Sequence, residues 1–360
     1  MLRSGWLTSG EVAEQLETEF QEWLGLNAIA VSSASAGLQL TYSALRRRGV
    51  TQVVVPSLTF TSTAMGAIHS GLDCTVVDID DETMCLDPKF IRDFNDPKIA
   101  VTAVHYGGFA SPDLREVLTK ISRAGIHVVE DAAHALPARD DSGYVGSSST
   151  SAAIIFSFYA NKTVTSGEGG MIVTSDAGLA SELRLLRQHG INRDSYFRRF
   201  HSSVDSWDYE VLEPGFKANL PDLLAALGVV QFRRRFELQQ SRASIARRYI
   251  ENFQDSDLIL PPHTEVLDSH AWHLFVIRVP VGIDRDDVMR YLKSRGIGCS
   301  LHYRPLHRHR YYRERYSLDP RQFPVSEAVF ATAISLPIFP DLSLSQVDQV
   351  SSSVLEALKK

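Results

Sequence analysis

A lysine stands just past a strand-like run in "FSFYANKTVTSGEGG" (156–170), and small, turn-forming residues surround it. Upstream, "VVEDAAHA" (128–135) closes a second apolar run on Glu130 and Asp131, with His134 three residues beyond. A run of small residues, "SASAG" (33–37), opens a helix after a third run, and "SLTF" (57–60) delivers the ring of Phe60 after a fourth. Ser157 adds a hydroxyl shortly before Lys162. An amine condenses with a carbonyl. A carboxylate keeps a heterocyclic nitrogen protonated. Helix-start amides take an anion, and a flat ring stacks on another.

Positioning these groups is the work of the elements around them. Apolar, β-branched runs occur at 28–32, 52–56, 74–80, 99–105, 126–131, 152–158 and 171–175, separated by helical patterns such as "DLREVLTKISRAG" (113–125). That alternation predicts an α/β fold on a mainly parallel sheet covered on both faces. Ligands of such sheets bind beyond the carboxyl ends of the strands, where the groups above are found. The first helix is expected to carry a capping box from Thr8 and Glu11, an apolar face of Val12, Leu16, Phe20 and Leu24, and a stop at Gly25. From Pro221 the pattern reads as one long helix or two joined ones. A strand over 271–279, a helix over about 285–295, a second strand over 296–303 and two terminal helical segments follow. The reading is a large α/β domain over 1–240 and a small α+β C-terminal domain over 241–360.

Composition narrows the classes. A chain of 360 residues with 44% hydrophobic and 22% charged content builds a sizeable core. The net charge of −6 argues against a general nucleic-acid or membrane-surface binder. The scattered cysteines Cys74, Cys85 and Cys299 form no CxxC pair and suit free thiols in a reducing compartment. No long uncharged run or signal-type N-terminus occurs, so a soluble cytoplasmic protein is expected.

Each chemical group has a bland reading by itself. Asp131 caps helices as readily as it pairs cofactors, Phe60 suits a core, "SASAG" suits close helix–sheet packing, and Lys162 suits a solvated loop. "SGEGG" fits neither nucleotide phosphate-loop pattern. Their shared position at the strand ends favours pyridoxal 5'-phosphate, which needs an amine, a carboxylate, an anion cradle and an aromatic plate together.

With "VSSASAGLQL", "VEDAAHA", "FSFYANKTVTSGEGGMIVTSD", "PGFKANLPDLLAALGVVQFRR", "HAWHLFVIRV" and "GIGCSLHYRPLH" in view, the chain resembles the DegT/StrS family of sugar aminotransferases. The resemblance runs over nearly the whole length and is nearest to the branch acting on nucleotide-linked 4-keto sugars. It implies an aspartate-aminotransferase-like large domain (the type I pyridoxal-phosphate fold) and a C2 homodimer with shared sites. It implies that Lys162 binds the cofactor covalently and moves the proton, and that Asp131 pairs with the ring nitrogen. Phe60 would stack on the ring, with His134 beside its 3-oxygen, while Ala34, Ser35 and Ser157 would hold the phosphate. Asn219 would reach the partner's phosphate, and His302, Tyr303 and Arg304 would meet the sugar substrate. The sequence departs from the family in reading Ser33-Ala34-Ser35 for "SGT" and Tyr159 where histidine is common. Relatives also place a segment before "SGW" that helps build the small domain, and this sequence begins at "MLRSGWLTSG".

The expected reaction moves an amino group from glutamate to a nucleotide-linked ketosugar, in amino-sugar biosynthesis. Alternatives are a 3-keto-sugar or inosose acceptor, or a non-catalytic regulator that keeps the fold. A nicotinamide dehydrogenase is disfavoured, because "SASAG" replaces the dinucleotide fingerprint. The basic stretch "LHYRPLHRHRYYRERY" (301–316) reads as a partly solvated face with one or two substrate contacts, in preference to a metal or nucleic-acid site.

Overall fold

Seven of the apolar runs form one sheet in the computed structural model, which describes residues 2–147, 150–192, 209–262 and 267–359. The strands are β1 (Asn27–Val31), β2 (Gln52–Pro56), β3 (Asp73–Val77), β4 (Ile99–Val104), β5 (His127–Asp131), β8 (Ala153–Ser157) and β9 (Gly170–Thr174), and a small hairpin of β6 (Arg139–Asp140) and β7 (Gly143–Tyr144) lies apart. Their order is β1-β9-β8-β5-β4-β2-β3, and only β9 runs against the others. β5, β8 and β9 carry almost only buried positions, the signature of strands covered on both faces. The expected α/β class is observed.

Helix α1 (Glu11–Leu24) buries Ala13, Leu16, Phe20 and Leu24 against the sheet and stops at Gly25, whose φ of 72° is left-handed. The Thr8–Glu11 capping box does not form. The first-turn amides are held instead by the Asp222 carboxylate, which accepts from Gly10 N–H at 2.8 Å and Ala13 N–H at 3.0 Å. A cap supplied from more than two hundred residues away leaves no local trace. Helix α2 (Ala34–Arg47) follows β1 and lies close on the sheet at Gly37, where an added Cβ would stand 3.2 Å from Ile155 and Ile172 side-chain atoms.

The segment from Pro221 is two helices, Asp222–Arg233 and Arg235–Phe253, meeting at Arg234. The domain boundary expected at 240 falls within the second of them. Residues from Ala243 to Ala357 build an apolar cluster of their own around Trp272, Phe275, Leu292 and Val347. In this part the strand expectations need correction. β10 (Phe275–Arg278) is shorter than 271–279, because Trp272 adopts a left-handed φ of 48°. Its antiparallel partner is β11 (Ala333–Leu336), and the 296–303 stretch makes only a single bridge, from Ser300 to Ser335. No helix among the described residues is long and apolar enough to cross a membrane.

Candidate active site

β1, β2, β5 and β8 end, and β9 begins, around one cavity of about 460 Å³. After β1, Ser33 caps α2 by accepting the Ala36 N–H on its hydroxyl at 3.1 Å. The first-turn amides of Ala34 and Ser35 have no intrahelical acceptor and sit on the cavity wall. Gly170 is what brings them there: a Cβ on it would lie 2.8 Å from Ala34 N, so only glycine lets the helix start settle onto β9. Ser157, at the end of β8, borders the same space. Phe60 projects from the loop after β2 with its ring half exposed, 5.7 Å from the Tyr303 ring.

Asp131, at the end of β5, is buried. Its Oδ2 accepts from the Thr63 hydroxyl at 2.7 Å and its Oδ1 from Ala133 N–H at 3.2 Å. Burial pushes its pKa up, and these two hydrogen bonds and the Lys162 charge only partly offset that. Lys162 lies on the loop joining β8 to β9, in a turn closed by its N–H on Tyr159 O. Its amine lines the cavity, and burial lowers it to about 8, against the pull of Asp131. His134 accepts the Gly107 N–H on Nδ1 at 3.2 Å, which leaves the proton on Nε2, 2.8 Å from the Tyr303 hydroxyl. Burial and the neighbouring Lys162 hold its ring far below the usual histidine range, hence neutral.

Ala34, Ser35 and Ser157, then Phe60, Asp131, His134 and Lys162, and finally His302 and Tyr303 therefore share one space. Asn219 and Arg304 do not line it. Asn219 is buried with its amide nitrogen donating to Ser9 Oγ at 2.6 Å, and the Arg304 guanidinium donates to its own chain at Arg308 O. The rest of the 301–316 stretch is mostly paired within itself or with Glu327, and the buried His307 joins Ser57 to Glu327. Among the described residues, no group of three or more His, Cys, Asp or Glu is placed to hold a metal.

Sequence reasoning missed Thr63, which follows Phe60 by three positions and enters the site at the start of the helix Ser62–His69. It also missed His273, whose Nε2 stands 3.2 Å from Lys162 Nζ. The second histidine of "HAWH" was the available signal, but nothing local connects it to residue 162.

The family model for the DegT/DnrJ/EryC1/StrS aminotransferase family matches residues 1–355. The chain belongs to this family. It is 38% identical over 367 residues to the Bacillus subtilis spore coat polysaccharide biosynthesis protein SpsC, covering 99% of this chain and 92% of SpsC. Among solved structures it is similar to a Streptococcus pneumoniae protein described as a "putative sugar aminotransferase" in its PMP form. There the TM-score is 0.89 at 27% identity, over 99% of this chain and 94% of that one. It is also similar to Helicobacter pylori PseC, described as an aminotransferase of pseudoaminic acid biosynthesis, with a TM-score of 0.90 at 25% identity over 99% and 94% of the two chains. The pneumococcal protein has also been solved in a PLP form. This chain is accordingly a sugar aminotransferase dependent on pyridoxal phosphate. Its cavity fits that group: a buried carboxylate with a raised pKa and no ion pair among the described residues, a helix start with amides on the cavity wall, a hydroxyl, an exposed ring and a depressed amine.

Proposed function

We propose that the enzyme takes the amino group of glutamate and delivers it to a nucleotide-linked keto sugar, a pentose or 6-deoxyhexose with its keto group at C4. The observation that carries this reading is one cavity in which Lys162 and Asp131 meet His302 and Tyr303. The latter pair belong to "GIGCSLHYRPLH", one of the segments that resemble the 4-keto branch. The names of SpsC and PseC, tied to spore coat polysaccharide and pseudoaminic acid, support a role in glycan amino-sugar biosynthesis.

Bound pyridoxal phosphate supplies an electron sink that acidifies the carbon bearing the amino group. The residues supply the rest. Ala34 and Ser35 amides with the Ser157 hydroxyl hold the phosphate at the positive start of α2. Asp131 keeps the ring nitrogen protonated, and that cation offsets the cost of the carboxylate's burial. Phe60 would stack on the cofactor's ring, and His134 would offer a neutral imidazole to it. Lys162 binds the cofactor and then carries the proton at the reacting carbon. With its amine lowered to about 8, it gives up a proton more readily than an ordinary lysine. His302 and Tyr303 face the sugar, and Arg304, exposed next to them, meets the outer part of the substrate.

Asn219 serves a neighbouring copy's phosphate in a C2 homodimer. A stripe of exposed Leu223, Leu227 and Val230 on the helix just after it supports that face. The division near 240 separates the cofactor-binding part from the small C-terminal part. Buried free thiols at Cys74 and Cys85 suit the cytoplasm.

The test is a panel of keto-sugar nucleotides offered with glutamate, read as 2-oxoglutarate released. Turnover with 4-keto sugars is expected. Turnover confined to 3-keto sugars or an inosose would overturn the acceptor assignment, and turnover only with another amino acid would overturn the donor.

A further inference from the structure

A buried histidine ordinarily satisfies both ring nitrogens within the fold. His134 does so, through Gly107 and Tyr303, and His270 takes the Trp272 N–H on its Nδ1 at 2.8 Å. His273 does not. It is 4% exposed, its Nδ1 has no partner among the described residues, and its one side-chain hydrogen bond runs from Nε2 to Lys162 Nζ at 3.2 Å. The buried His105 leaves its Nδ1 unpaired as well, so that nitrogen does not decide the matter; what sets His273 apart is that its one side-chain hydrogen bond among the described residues goes to Lys162.

The backbone holds the ring in place. Trp272, with its left-handed φ, turns the chain before β10, and the buried Arg242 guanidinium donates to Trp272 O at 3.2 Å and Ile338 O at 2.9 Å. The His134 ring stands 4.4 Å away, tilted by 47°. The groups facing His273 are thus Lys162, His134, His302 and Arg242, all neutral or cationic, and burial together with them keeps its ring neutral.

We propose that His273 is a positioning residue for the Lys162 amine, holding Nζ at the cavity wall whenever the lysine is not bound to the cofactor. This rests on the reading of Lys162 as the cofactor-binding amine. In a transaminase that lysine would be released in the first half-reaction and recaptured only at the end of the second, and an unheld four-carbon chain would lose its aim in between. A carboxylate at 273 would hold the amine as a tight ion pair and keep it protonated. A neutral imidazole orients it and leaves it able to give up its proton.

The experiment compares His273→Phe, which keeps a ring and removes the nitrogen, with His273→Gln, whose amide reaches the place of Nε2. Apo-protein is mixed with pyridoxal phosphate, the visible band of lysine-bound cofactor is followed in time, and steady-state kcat and KM are measured beside it. For His273→Phe, cofactor capture and kcat are expected to slow about ten- to a hundredfold with KM for the sugar unchanged, while His273→Gln restores most of both rates. Wild-type capture by His273→Phe would overturn the proposal, as would equal losses in both variants. If His273→Phe fails to fold, as judged by its melting temperature, His273→Leu and His273→Gln are compared in its place and the same contrast decides. Lys162→Ala separates the two readings: if it still develops the lysine-bound band, the assignment of Lys162 itself fails, and if it does not, a wild-type His273→Phe condemns the positioning role alone.

Discussion

β5 ends on two carboxylates that point to opposite faces of the sheet and live differently. Glu130 is buried and saturated: its oxygens take His105 Nε2 at 2.7 Å and the Ser151 hydroxyl. Burial pushes its pKa up, but those bonds and the Arg115 charge win, and it lies below its ordinary value. Asp131, equally buried, holds only one hydroxyl and one amide, and its pKa stays raised. The first acid is completed by the fold. The second keeps a raised pKa and opens to the cavity, where under the proposed function the cofactor's ring nitrogen would supply the missing positive charge. Each acid accepts two hydrogen bonds, so the kind of partner and not the number separates them: a histidine with the Arg115 charge nearby outweighs burial at Glu130, and a hydroxyl and an amide do not at Asp131.

The sharpest way to break that contrast is Asp131→Asn. It is expected to lower kcat about 10³-fold, equivalent to about 4 kcal/mol, while leaving the apo-protein's melting temperature unchanged or raised, since a buried charge has been removed. Glu130→Gln is expected to do the reverse. It destabilises by about 3 kcal/mol, read as a drop in melting temperature, because it breaks a bonded buried pair; kcat per folded molecule falls little. If Glu130→Gln cost more activity than Asp131→Asn, the comparison would be inverted.

The same contrast has a pH signature. Glu130, with its folded pKa below the ordinary 4.5, contributes stability that is present above that pH and lost as pH falls below it. Asp131, raised above the ordinary 3.8, costs stability when ionised, and the cost is relieved as pH falls towards that value. Denaturation midpoints of the apo forms of the two single variants should therefore depart from the wild type with opposite slopes in acid. A smaller effect is expected from Thr63→Val, which removes the hydroxyl on Asp131 Oδ2: about tenfold in kcat, equivalent to about 1.4 kcal/mol, with cofactor uptake retained. Smallest is the outer rim. Arg304→Ala is expected to weaken apparent nucleotide-sugar affinity about threefold, and Arg310→Ala, whose guanidinium pairs with Glu314 on its own helix, to leave it unchanged.

The sheet was legible because period and burial agree. Runs buried on both faces read as unbroken apolar strands, and all seven fall within three residues of their expected ends. The residues lining the cavity were legible too, because Asp131 ends its own strand and "SASAG", Phe60 and Lys162 lie within about five residues after theirs. What could not be read is what distant segments bring. Asp222 caps α1, β11 pairs with β10, Thr63 reaches Asp131 and His273 reaches Lys162. None of these leaves a periodic or local signal. The 271–279 run read as one strand because its apolar character is continuous, while the turn at Trp272 depends on packing beneath Arg242. Arg304 and Asn219 came from resemblance, and their side chains rest on Arg308 O and Ser9 Oγ, outside the cavity.

The most direct test of the central claim is to reduce the cofactor-loaded protein with borohydride, digest it and find by mass spectrometry which peptide carries the pyridoxyl group. A single adduct on Lys162 is expected, absent from Lys162→Ala. An adduct on any other lysine, or none at all in protein that shows bound cofactor, would contradict the claim.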